Sequence, residues 1–145
     1  MPSKSEQVLE ALLAILRVAV PPGAEVVRNS TLPTRIPPGG WLCLRDGDPG
    51  DPQFMMSPPS YYFEHEAEVD IVVDAPLAER DARFDALKVA LGEALALDRT
   101  LGGLCDYVIG VPPVPVDITT EGGAQPLKAA TVGIMLTYVT SDPLG

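Results

Sequence analysis

The stretch that decides the fold is Tyr61-Tyr62-Phe63-Glu64-His65-Glu66-Ala67-Glu68-Val69-Asp70-Ile71-Val72-Val73. It alternates almost without fault. Tyr61, Phe63, His65, Ala67, Val69, Ile71 and Val73 fall on one side of an extended chain. Tyr62, Glu64, Glu66, Glu68, Asp70 and Val72 fall on the other. A period of two means a strand with one buried and one wet face. At about 3.3 Å per residue the run spans roughly 43 Å, far beyond the usual strand of about 5–6 residues. It is predicted to be the spine of an antiparallel sheet. Its wet face carries four carboxylates in a row, Glu64, Glu66, Glu68 and Asp70.

The chain around this spine has 145 residues, 46% of them hydrophobic. That fits one domain, residues 1–145, with one packed core. The net charge is -10. A partner bound mainly through phosphates would need clustered Lys and Arg, so specific nucleic-acid binding is not expected. The charge suits solubility, a basic protein partner, or a surface that repels DNA. Cys43 and Cys105 lack CxxC spacing and are too few for a disulfide framework. Buried free thiols in a reducing cytoplasm are expected. No signal peptide is visible. The first apolar stretch is periodic and contains Glu10 and Arg17, so it is not a membrane span, and no membrane partner is expected.

Working outward, residues 3–19 are predicted as a helix. Ser3 and Glu6 have capping-box spacing, and Val8, Leu9, Leu12, Leu13, Ile15, Leu16 and Ala19 make one apolar face. Pro21-Pro22-Gly23 stops it. A short strand at 24–28 precedes a proline-rich loop at 29–40, and a second strand runs from Trp41 to Asp46. Residues 47–60 are longer than a usual hairpin connection, and they carry Phe54, Met55 and Met56. Those three either fold back on the core or contact another subunit or a tube protein.

Asp74-Ala75-Pro76 leads into a predicted helix over 77–96, with Phe84, Leu87, Leu91 and Leu95 at helical spacing. Residues 97–104 turn the chain. Strands follow at 105–111, 116–120 and 127–140, with a turn at 121–126. The order favours α+β: a two-layer sandwich, a mostly antiparallel sheet with both helices on one face.

Catalytic chemistry is sparse. His65 is the single histidine and lies on the opposite face from Glu64 and Glu66, so a metal cluster is not expected. Nothing near the four acidic residues would push their pKa values apart, as paired-carboxylate catalysis requires. No nucleophile elbow, phosphate-binding loop or dinucleotide fingerprint occurs. No catalytic residue and no cofactor is expected.

The layout resembles the tail terminator and tail-completion proteins of long-tailed phages, prophages and gene transfer agents. The resemblance lies in the leading helix, Val-Val-Arg-Asn (26–29), Ile-Pro-Pro-Gly-Gly (36–40) and Asp-Gly-Asp (46–48). It continues through Tyr-Tyr-Phe-Glu-His (61–65), Asp-Arg-Thr-Leu-Gly-Gly-Leu (98–104) and Leu-Thr-Tyr-Val-Thr (136–140). It implies a structural, non-catalytic subunit of a hexameric ring. Such a ring caps the tail tube, stops its polymerisation and meets the head-completion or connector protein. It also implies assembly in the host cytoplasm and a final place in the tail. The acidic row is then a candidate channel lining past which DNA moves. Two other readings stay open: another head–tail neck protein, or a small group-transfer enzyme using Cys43 or Cys105 with His65.

Overall fold

A computed structural model of the chain describes residues 1–118 and 127–145. The turn expected at 121–126 and the end of the strand expected at 116–120 lie outside the described residues. The elements are α1 (Lys4–Ala19), β1 (Glu25–Arg28), β2 (Trp41–Asp48), β3 (Gln53–Met55) and β4 (Ser60–Val73), then α2 (Leu77–Leu97), β5 (Tyr107–Val111), β6 (Val116–Ile118) and β7 (Leu127–Thr140). The fold is α+β, a two-layer sandwich.

The sheet order is β1-β2-β4-β7-β5, with β3 also paired to β4 and β6 to β7. The spine is β4, in unbroken antiparallel register with β7 from Tyr61 opposite Thr140 to Val73 opposite Lys128. One pair departs from the antiparallel pattern: β1 runs parallel to β2. Residues 29–40 make this possible. They are long enough to carry the chain back to the starting end of the sheet, which a tight hairpin cannot do.

Alternation does what the sequence predicts on the inner face. Phe63, Ala67, Val69 and Ile71 of β4 and Ile134 and Leu136 of β7 are buried. They share one cluster with Leu12 and Leu16 of α1 and Phe84, Leu87 and Leu91 of α2. Both helices therefore cover the same face. Each such leucine or phenylalanine contributes about 1.5–3 kcal/mol by leaving water.

The outer face is wet only in part. Trp41, Cys43, Val72, Leu127 and Ala129 form a second cluster there with Ile36, which the proline-rich loop lays over that end. Val72, expected on the wet face, is buried for this reason.

Residues 47–60, expected as a loop, are partly strand. Gly47 has φ +71° and sits against the Glu66 carbonyl, where a Cβ would collide with backbone. The register shifts between Arg45 and Asp48. This is a bulge, an extra residue that bends the strand and lets pairing resume. β3 then pairs with the start of β4, Phe54 opposite Tyr61. β2 and β3 thus follow the same edge of β4, and the hairpin end runs past the core.

The capping box is half made. Ser3 Oγ accepts from the Glu6 N–H at 3.3 Å. The Glu6 carboxylate instead accepts from Arg28, from Nη1 at 2.6 Å and from Nη2 at 2.8 Å. Among the described residues no helix is long and apolar enough to cross a membrane.

Candidate functional site

The alternation of β4 and the helix layer on its other side aim the acidic residues away from the core. Glu64, Glu66 and Glu68 are exposed and lie opposite Thr137, Met135 and Gly133 of β7. None of the three is held by a hydrogen bond or ion pair among the described residues. Asp70 is different. Arg45 Nε donates to its Oδ2 at 2.6 Å, and Thr131 Oγ1 donates to its Oδ1 at 2.8 Å. The four-residue row is therefore three free glutamates and one neutralised aspartate. Arg45 is held charged more firmly than an ordinary arginine, first through its hydrogen bond to Asp70. Adjacent glutamates two residues apart repel by about 0.6 kcal/mol at a dielectric near that of water. That is tolerable on a solvated face and costly in a dry one.

The second surface is the hairpin end. Phe54 is 55% exposed, Met55 38% and Met56 76%. They do not fold back on the core. Phe54 touches only its cross-strand neighbour Tyr61 among the aromatic rings, at 5.4 Å between centroids. Two large apolar side chains on a paired strand and a third, Met56, in the turn after it are unfavourable in water unless something covers them.

His65 is 3% exposed. Nε2 contacts the Asp46 carbonyl, and Nδ1 lies 2.8 Å from Tyr138 Oη. A carbonyl can only accept, so Nε2 donates to it, and Nδ1 shares a hydrogen bond with the tyrosine hydroxyl. Both ring nitrogens are occupied by structural bonds. Burial pushes the Tyr138 hydroxyl up to about 12 and the Cys105 thiol up to about 11. Cys43 lies on the outer-face side, in the cluster with Trp41 and Val72, across the sheet from His65. Neither cysteine forms a disulfide. Among the described residues no group of three or more His, Cys, Asp or Glu is placed to hold a metal ion.

Two features escaped sequence reasoning. Arg28 joins Glu6, Glu10 and Asp46, and Asn29 Nδ2 donates to Asp46 at 3.1 Å. This ties α1 to the β1–β2 edge, and nothing in the sequence says which carboxylates converge. The second is the edge strand β5. Tyr107, Ile109 and Val111 are exposed at 47%, 43% and 41%. Their alternation was legible, but which face of a sheet edge lacks a covering helix was not. No protein-family model matches the chain, and no curated protein matches it.

Proposed function

We propose that this chain is a structural assembly subunit of a phage-type tail, a ring-forming tail terminator. The observation that carries the reading is the division of the sheet into two unlike faces. The inner face is sealed by α1 and α2, while the outer face keeps Glu64, Glu66 and Glu68 in water. In a ring, a row of unpaired glutamates repeats with every subunit. Turned to a lumen, it would repel phosphates and keep passing DNA from sticking to the wall. Phe54, Met55 and Met56 supply the contact to a neighbouring subunit or to the tail tube protein. A connector protein meets the other side of the ring. The role involves no catalysis and no cofactor.

The test is co-assembly. Purified chain is mixed with polymerising tail tube protein from the same genome, and tube length is measured by electron microscopy. Tubes of limited length with a ring at one end support the reading. Tubes that grow unhindered and uncapped would sink it.

A further inference from the structure

We infer that the groove between α2 and the edge strand β5 receives the Phe54–Met56 hairpin end of a second copy of this chain, joining copies head to tail. The inference rests on the ring reading above and adds where the neighbour sits.

The sheet order places β5 on one edge, while β3 pairs on the β2 side of β4, toward the other edge. The exposed apolar end and the groove are thus on opposite sides of one subunit. A contact between two different patches is heterologous, and when its rotation closes it makes a ring.

Charge then selects the groove. Residues 47–60 carry Asp48 and Asp51 and no Lys or Arg. The groove between the two helices is apolar and about 580 Å³, but Glu93 and Asp98 line it. An acidic hairpin is repelled there. The groove on the outer sheet face holds Arg45 and Asp70, which neutralise each other. The pocket beside the α1 N-terminus carries Glu6 and Asp46. The groove between α2 and β5 is lined by Lys88 and Arg99 with no acidic residue. Lys88 Nζ has Asp85 at 3.4 Å on the exposed side of α2, and Arg99 donates to the Val108 carbonyl. Among the described residues Arg99 is therefore the cation there without a carboxylate partner. In a chain of net charge -10 this is the surface where an acidic segment is welcome.

Shape agrees. The groove holds about 390 Å³ and is walled by Leu91, Leu95, Ile109 and Val111. Ile109 and Val111 border it along the edge strand, in register with Met135 and Gly133 of β7, so their side chains lean to the sheet face away from α2. Gly92 forms part of its helical wall, and a Cβ built there meets nothing within 4 Å. That opening in the middle of α2 costs helix stability and leaves room for a guest side chain.

The test is solution mass of the full chain by light scattering, with thermal melting of each variant by circular dichroism. Wild type should be an oligomer. Gly92→Leu fills the groove and replaces a poor helix former, so it should give monomers that melt no lower than wild type. Lys88→Glu should weaken association about tenfold, and adding Asp51→Lys should restore it. An oligomer undiminished by Gly92→Leu overturns the groove assignment and leaves the ring reading standing. A Lys88→Glu defect that Asp51→Lys does not repair overturns the hairpin as the guest. Wild type monomeric at every concentration overturns the ring reading and the groove together.

Discussion

Arg28 and Glu6 meet fork to fork, two parallel hydrogen bonds at 2.6 and 2.8 Å across the join between α1 and β1. Arg28 also reaches Glu10 and Asp46, so one guanidinium gathers three carboxylates from two elements. Replacing it by Met leaves those carboxylates repelling one another. The expected loss is about 1–2 kcal/mol by urea denaturation, kept low because all three acids reach solvent. The pH dependence has a definite sign. The hydrogen bond from Arg28 holds the Glu6 carboxyl below its ordinary 4.5. Its contribution is therefore complete above pH 4.5 and is lost as pH falls through the lowered folded value. The stability gap between wild type and Arg28→Met should narrow on acidification below 4.5. A gap independent of pH would remove Glu6 from the account.

Gly47→Ala tests the bulge. The residue sits at φ +71° and its Cβ would strike the Glu66 carbonyl. Strain and collision together should cost about 2–3 kcal/mol. The measurement is the melting temperature beside Gly50→Ala, where φ is +69° but the nearest heavy atom is 3.7 Å away. Equal losses at the two sites would mean that φ alone matters and the close approach does not.

The acidic row separates into two experiments. Glu64, Glu66 and Glu68 changed together to Lys should leave the fold intact, within about 0.5 kcal/mol per site, since each is exposed and unpaired. Particles carrying the triple variant should assemble but retain or deliver DNA poorly. Normal delivery would remove the channel role. Asp70→Asn should instead destabilise the subunit by about 1–3 kcal/mol, because Arg45 loses its carboxylate partner and keeps only the Ser30 carbonyl.

The apolar hairpin end should be dispensable for folding. Phe54, Met55 and Met56 changed to Ser should keep the monomer's circular dichroism spectrum and lower its association. Collapse of the fold would place these side chains in the core after all, against their exposure.

Cys105 should behave as an inert thiol. Burial raises its pKa from 9.0 to about 11, so the folded state keeps the proton across that window and the unfolded state does not. This group's effect is to lower stability as pH rises from 9 toward 11. Labelling by iodoacetamide at pH 8 should require unfolding. Rapid labelling of the native protein would reopen the group-transfer reading.

Much of this architecture is legible in the sequence. The period of two from Tyr61 to Val73 specified a strand and named its buried side, because hydrophobic residues leave water on one face only. The 3.6-residue spacing of Leu9, Leu12, Leu13 and Leu16 and of Phe84, Leu87, Leu91 and Leu95 specified the helices by the same physics. What local pattern could not carry was everything decided by distant partners. The parallel pairing of β1 depends on how residues 29–40 cross over. The burial of Val72 depends on Ile36 arriving from that loop. Asp70 looked like its three neighbours until Arg45 and Thr131 came to it from the strands on either side. The groove of Lys88 and Arg99 exists only because α2 and β5 lie side by side. Periodicity records which side of an element meets apolar matter, while charge pairing and grooves arise between elements, where only tertiary packing sets the distances.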